Sequence, residues 1–324
     1  YFWMRVSFSK KINQIESFHR QFCPSAKPEF RRVRISEDGN FVLAVYLPSI
    51  GVLVETHKQQ AFIRYGDKKI KMSDAEKFDF RATRQELSFE QQAANLKFPD
   101  EFDMDIVNEF CQRFSEREER TGWSIEEILE DRYLGRRING ELQPNNALVL
   151  LAARHPGQII PGSRVRVQRF ATTYEGSGTE YSPIRDRFIE GNIIRIIQNA
   201  RPIIEELNYD VTWLNRDGKF ITTSEYPYWA WFEALVNACV HRSYSFSGTD
   251  ITVKFFSDRL ELESPGGFVP PVNENTIYDV RAARNPHLMD ALRYLGYVRM
   301  AREGARRIRD SMKEADLPEP IFQQ

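Results

Sequence analysis

One segment, Glu225 to Gly267, constrains the fold more than any other part of the chain. The spacing predicts a helix from Glu225 to Tyr244, capped by Ser224, with Pro227 in its first turn, where the missing N–H costs nothing. Thr249 to Phe256 and Arg259 to Glu263 then alternate around Ser257-Asp258 as an antiparallel hairpin. Ser264-Pro265-Gly266-Gly267 closes that hairpin in a glycine turn, where backbone can approach a ligand closely. Helix and antiparallel hairpin in direct succession read as an α+β fold.

The predicted helix carries Glu233, Asn237 and His241 four residues apart, so one helical face presents all three. A carboxylate one turn before a carboxamide suits nucleotide hydrolysis. The carboxylate orients an attacking water, and the amide oxygen holds a phosphate-bound Mg2+, which keeps hard oxygen ligands. The same spacing also fits the ordinary polar face of an amphipathic helix. Cys239, in the same helix, reads as a small buried hydrophobe, and Trp229, Trp231 and Phe232 as core or subunit contacts.

Around this segment the chain organises into three expected parts. Residues 1–87 form a small unit: a helix over Lys11–Phe22, strands at Arg31–Ile35, Asn40–Leu47 and Ala61–Tyr65, and a helix towards Arg84 opened by the capping-box spacing Ser73 to Glu76. The polar stretch Leu87 to Asp100 reads as a linker. Residues 88–207 form a helical middle region, with helices at Met104–Arg117, Ser124–Leu134 and Glu190–Leu207, an apolar segment at Ala147–Ala152, a strand at Arg164–Phe170 and a loop at Thr172–Pro183. Residues 208–324 begin with a hairpin, Tyr209–Leu214 and Lys219–Thr223, and continue after Gly267 with helices at Asn285–Leu295 and Glu303–Lys313.

Composition narrows the function classes. Against 46 Asp+Glu stand 45 Lys+Arg, a net charge of -1, so any nucleic-acid surface is local, and Arg64, Lys68, Lys69 and Lys71 form the one cluster singled out for it. The same residues also fit a strand edge guarded by lysines. Three widely separated cysteines give neither a disulfide framework nor a metal clip, which fits a reducing cytoplasm. The scattered histidines carry no zinc spacing, no run is long enough for a membrane helix, and no signal peptide is visible.

Three strings carry a family resemblance: Glu233-Ala234-Leu235-Val236-Asn237-Ala238-Cys239-Val240-His241-Arg242-Ser243-Tyr244, then Ser257-Asp258-Arg259-Leu260-Glu261-Leu262-Glu263-Ser264-Pro265-Gly266-Gly267, then Arg284-Asn285-Pro286. Over roughly 208–322 they resemble the Bergerat-type ATP-binding domain, an α/β sandwich shared with gyrase and histidine kinases, of a group of prokaryotic transcriptional regulators. The resemblance implies ATP and Mg2+ as ligands, Glu233 as the water-activating carboxylate and Asn237 as the Mg2+ ligand. It also implies nucleotide contacts from His241, Glu263, Ser264, Gly266, Gly267 and Gly304. The chain departs from the pattern at Glu263, where gyrase-type relatives read adenine with Asp, at Pro265, and at Glu303-Gly304-Ala305-Arg306-Arg307, which has a single glycine. There Arg306 and Arg307, with helix N-terminal amides, offer anion contacts, and a solvated basic face is the other reading.

Residues from about Lys11 to Arg84 resemble the second half of the AlbA-like Schlafen domain that precedes the ATP-binding domain in the same regulators, chiefly at Ala61-Phe62-Ile63-Arg64-Tyr65-Gly66-Asp67, Ser73 and Glu76. This implies nucleic-acid binding, DNA ahead of RNA, in a cytoplasmic homo-oligomer whose nucleotide state modulates binding or assembly. Two alternatives stay open: a nucleic-acid-binding or dimerising protein with a degenerate, non-hydrolysing ATP fold, and a Schlafen-like nuclease whose catalytic half lies outside this chain.

Overall fold

The structure, a computed structural model, describes residues 2–5, 17–24, 26, 28–34, 41–46, 53–65, 68–83, 89–214, 217–269, 272–299 and 304–324. Two compact units divide the chain, residues 1–88 and 89–324.

In the first unit, β1 (Phe2–Arg5), β2 (Glu29–Arg34) and β3 (Phe41–Tyr46) make an antiparallel sheet in the order β1-β3-β2, with Leu43 buried in its central strand. A separate hairpin joins β4 (Phe62–Tyr65) to β5 (Lys68–Lys71). Helix α1 (Asp74–Thr83) starts at the expected capping box: Ser73 Oγ accepts the Glu76 N–H (3.2 Å) and Glu76 Oε2 accepts the Ser73 N–H (2.7 Å). Of the helix expected over 11–22, residues 17–22 are helical and 11–16 lie outside the described residues, as does the turn at 37–40. β1 and β5 add strands that the sequence pattern did not signal. β5 is Lys-Lys-Ile-Lys, whose composition disguises a strand that only its partner stabilises.

The second unit is built on a four-stranded sheet in the order β13-β12-β8-β9: β8 (Val165–Arg169), β9 (Arg185–Ile189), β12 (Ile251–Phe255) and β13 (Leu260–Glu263). β8 and β12 run parallel, Val165 opposite Ile251 and Arg169 opposite Phe255, and the two outer pairings are antiparallel. Alternation sends Val165, Val167, Ile251, Val253 and Phe255 to the core face. Against it lie α5 (Ile193–Leu207), capped by Asn192, whose side chain accepts the Arg195 N–H, and α6 (Tyr228–His241). Helices α2 (Met104–Arg117), α3 (Ile125–Asp131) and α7 (Pro286–Tyr294) extend the same core, and α8 (Gly304–Glu314) packs along α6. Short α4 (Asn146–Ala152) is buried on every side, as its unbroken apolar run demands. Two further hairpins, β6 (Gly135–Ile138) with β7 (Glu141–Pro144) and β10 (Asp210–Leu214) with β11 (Phe220–Ser224), stand apart from the main sheet. The fold is α+β.

Two local expectations are corrected. Helix α6 begins at Tyr228 with Pro227 at the N-cap, and Ser224 instead ends β11, its Oγ donating to Asp210 (3.2 Å). Pro227 pushes the backbone of Tyr226 out of the helical region, so the helix cannot start before it. The stretch 89–100 is not a solvated linker: Glu90 is fully buried, and the Ala94 N–H bonds to the Pro144 carbonyl (2.9 Å).

Glu90 is buried because it caps another element. Its two carboxylate oxygens accept the backbone N–H groups of His287 (3.1 Å) and Leu288 (3.0 Å) at the start of α7. Burial outweighs those two bonds and pushes its pKa up to about 7, from an ordinary 4.5. A folded-state pKa above the unfolded one means stability fully present below 4.5 and lost as pH rises through 7, by up to roughly 3 kcal/mol. In urea unfolding at pH 5 and pH 8, Glu90→Gln is expected to lose this decline. An undiminished decline in the variant would assign it to another group.

Candidate functional site

Helix α6 is the platform of the site. Leu235, Val236, Cys239 and Val240 bury one side in the core, leaving Glu233, Asn237 and His241 on a half-buried face at four-residue spacing. The first turn of α8 lies on that face. A Cβ built on Gly304 would stand 3.0 Å from Glu233 Oε1 and 3.1 Å from Asn237 Nδ2, so any side chain there would press on both groups. Three predicted residues, distant in sequence, thus meet at one point: Glu233, Asn237 and Gly304.

Arg307, one turn further along α8, completes the cluster. Its Nη1 donates to Glu233 Oε2 at 2.7 Å, and both side chains are largely buried. The start of α8 and one guanidinium therefore lie against a single carboxylate and a carboxamide. Arg306 points elsewhere, bonding to the Tyr278 carbonyl and to Asp279 (2.7 Å each).

The C-terminal end of α6 is where the three sequence strings converge. Ser264 Oγ donates to the Ala238 carbonyl (3.0 Å), and the Ser243 N–H donates to the Pro265 carbonyl (2.7 Å). Asn285 Nδ2 bridges the carbonyls of Val240 (2.7 Å) and Arg242 (2.9 Å), while Arg284 links the carbonyls of His241 (3.2 Å) and Gly267 (2.8 Å). These donors satisfy carbonyls that a helix end leaves open. Gly266 adopts a φ of 103°, and a Cβ there would lie 2.8 Å from Ser243 Cβ, so both its backbone angle and the close packing require glycine. At Gly267 a Cβ would collide with the side chain of Gln324, whose Oε1 accepts the Phe268 N–H (3.1 Å).

Burial pushes the His241 pKa down to about 4, and neighbouring Arg284 adds to the shift, so the imidazole is neutral at physiological pH. Its contribution to stability has the opposite sign to that of Glu90: present above 6.5 and lost as pH falls through 4. Cys239 is pushed up to about 12 by burial, so its thiol stays protonated.

Glu263 is not brought to this cluster. Leu262 packs against the core, so strand alternation turns Glu263 to the other face of the sheet. There it accepts from Thr252 (3.0 Å) and pairs with Lys254 (3.2 Å), which also binds Glu175 (2.8 Å). In the first unit, Lys69 and Lys71 are exposed on β5, Lys69 over the Phe62 ring at 3.9 Å. The side chains of Arg64 and Lys68 lie outside the described residues. Exposed Arg31, Arg32 and Arg34 on β2 extend the basic character of this unit; the run Arg31-Arg32-Val33-Arg34 was the available sequence signal.

Sequence reasoning gave no role to Arg242 or Asn285, and no local signal identifies them: their partners are carbonyls that become neighbours only once α6 ends against the glycine turn. The described residues hold no cluster of His, Cys, Asp and Glu able to bind a metal by themselves, and among them no helix is long and apolar enough to cross a membrane.

Residues 248–324 match a family model described as "Putative ATP-dependent DNA helicase recG C-terminal", which supports an ATP-binding domain in this part of the chain. Glu233, Asn237 and His241 lie just before the matched residues. No curated protein matches the chain. The structure is similar to the crystal structure of the DIP2311 protein from Corynebacterium diphtheriae, with a TM-score of 0.56 and 18% identity. That likeness covers 97% of this chain but 60% of the other, so the chain spans about three fifths of its length, and at this identity the likeness is one of fold.

Proposed function

We propose that the chain is an ATP-binding regulator whose nucleotide state alters nucleic-acid binding or assembly. The observation that carries the reading is the meeting of Glu233, Asn237 and Gly304 beneath the first turn of α8, beside residues matched to an ATP-binding family. The residues fit the ligand: a hard carboxamide oxygen at Asn237, a glycine whose Cβ would fill the cradle, and Arg307 with helix N-terminal amides for phosphate oxygens. Bound Mg2+ would neutralise phosphate charge there. Asn237 would hold the metal, and Glu233 would orient a water and accept its proton. Neutral His241, Ser264, Gly266 and Gly267 would line the nucleoside side of the site.

Calorimetric titration with a non-hydrolysable ATP analogue tests the reading. Mg2+-dependent binding that weakens at least about tenfold in Asn237→Ala is expected from the loss of a metal ligand. The absence of binding at millimolar analogue would sink it.

One observation favours a second reading, a nucleotide-binding or dimerising scaffold without turnover: Glu233 is already neutralised by Arg307, and Glu263 is engaged by Lys254. For the first unit, the reading as an AlbA-like Schlafen half-domain rests on the sequence resemblance and on exposed Lys69 and Lys71. The double charge reversal Lys69→Glu, Lys71→Glu is expected to weaken DNA binding and lower the slope of log K against log salt by about 2. An unchanged slope would place DNA elsewhere.

A further inference from the structure

Helix α8 engages both oxygens of the Glu233 carboxylate. Arg307 Nη1 donates to Oε2 at 2.7 Å, and Oε1 faces Gly304 so closely that a Cβ there would stand 3.0 Å away. The pair is shielded as well, with the Glu233 side chain 16% exposed and that of Arg307 28%. A carboxylate that activates water needs a lone pair open to that water at about 2.6–3.2 Å. Here one oxygen already accepts from a guanidinium, and the other lies against the start of a helix. Before Glu233 can serve as the base, Arg307 has to find another anion.

The order of residues along α6 says which anion that is. In the nucleotide reading, on which this inference rests, His241 stands at the nucleoside side, Asn237 holds the phosphate-bound metal one turn earlier, and Glu233 holds the water one turn before that. At 1.5 Å per residue these steps run about 12 Å along the helix from nucleoside to water. The terminal phosphate therefore lies at the Glu233 end, where Arg307 is, and the phosphates nearer the nucleoside lie further from it. In-line attack sets the terminal phosphorus about 3–3.5 Å beyond the water oxygen, which brings the phosphate oxygens within reach of a guanidinium bonded to the same carboxylate. A planar guanidinium matches a phosphate with two parallel hydrogen bonds, and a terminal phosphate carries more charge than one carboxylate.

We propose that Arg307 is the residue that distinguishes a nucleoside triphosphate from a diphosphate. With the triphosphate bound, its guanidinium leaves Glu233 for the terminal phosphate oxygens; with the diphosphate bound, it stays on Glu233. The carboxylate is thus released only when there is a bond to hydrolyse. The water oxygen then bonds to the terminal phosphorus, Glu233 takes the water's proton, and the bond to the bridging oxygen breaks with its electron pair going to the departing diphosphate. Neighbouring Arg306 does not share this role, being turned to the Tyr278 carbonyl and Asp279.

Calorimetric titration of the 324-residue chain, in Mg2+, with a non-hydrolysable ATP analogue and with ADP tests the proposal. The parent chain is expected to bind the analogue at least about tenfold more tightly than ADP, the usual worth of hydrogen bonds to a charged group. Arg307→Ala is expected to bring the two affinities within about threefold of each other by weakening the analogue alone. Loss of a purely structural contact would weaken both nucleotides alike, so the ratio reports the phosphate contact. Arg306→Ala, which removes a cation one residue away, and Glu233→Gln, which leaves the guanidinium in place, are expected to keep the parent ratio. If Arg307→Ala loses its native circular dichroism spectrum, Arg307→Lys decides, because an ammonium keeps the charge but not the planar fork: a ratio lowered at least about threefold supports the proposal and an unchanged one overturns it. Equal affinity of the parent for both nucleotides also overturns it, as does a ratio unchanged in Arg307→Ala or lowered equally in Arg306→Ala. A parent chain that binds neither nucleotide removes the nucleotide reading itself, and this inference with it.

Discussion

Glu233→Gln is expected to lower Mg2+-dependent ATP turnover by 10²- to 10⁴-fold, the usual contribution of a positioned general base, while leaving affinity for the non-hydrolysable analogue within a few-fold. The substitution keeps size and one acceptor oxygen but removes the charge that both a water and Arg307 require. Single-turnover hydrolysis alongside analogue titration separates chemistry from binding. If Glu233→Gln retains turnover, the carboxylate is only Arg307's structural partner. If the parent chain binds the analogue but never hydrolyses it, the scaffold reading stands instead.

Arg242→Ala is expected to produce the largest loss of stability, about 3–5 kcal/mol. The guanidinium is fully buried and none of its hydrogen bonds goes to a carboxylate. It donates to the carbonyls of Ser243 (3.1 Å), Phe246 (2.9 Å) and Thr249 (2.5 Å), and it lies over the Tyr244 ring at 4.8 Å. Burial lowers its pKa, but an arginine keeps its proton. Gly162 makes room for it: a Cβ at that position would lie 2.8 Å from Nη2. Truncation would strand three carbonyls, open a void, and release the loop after α6, whose residues 245–249 line a shallow cleft of about 600 Å3 with Pro265 and Gly266. Chemical denaturation of Arg242→Ala and Arg242→Lys tests this. Lysine, with one ammonium in place of a planar fork, is expected to recover less than half of the loss. A loss below about 1 kcal/mol would mean that the carbonyls find water and that the loop does not depend on this residue.

Both predictions concern residues in one string, 233–244, yet they were unequally legible. The spacing of Glu233, Asn237 and His241 is a property of any α-helix, so their shared face followed from sequence alone. Arg242 sits beside them with no pattern to mark it, because its partners are backbone carbonyls of the loop that follows. Glu263 teaches the converse. Leu262, apolar between Glu261 and Glu263, announces by alternation which way Glu263 points, and that local signal separates it from the Glu233 cluster. Glu90 misled for another reason: its polar surroundings read as linker, and only the start of α7, almost two hundred residues later, explains a buried carboxylate there.

What the sequence determined by itself was local: a helix within 225–244, though not its start, the β12–β13 hairpin, the glycine turn after it, the capping box at Ser73, and the α+β class. Each depends on periodicities and turn chemistry that act within a few residues. Tertiary structure alone decided the parallel pairing of β8 with β12, the placing of Gly304 and Arg307 over Glu233 and Asn237, and the satisfaction of the α6 carbonyls by Asn285. Those contacts join residues 43 to 86 positions apart. What selects them is the burial of shared apolar faces and the need to pair every buried polar group, which no window along the chain contains.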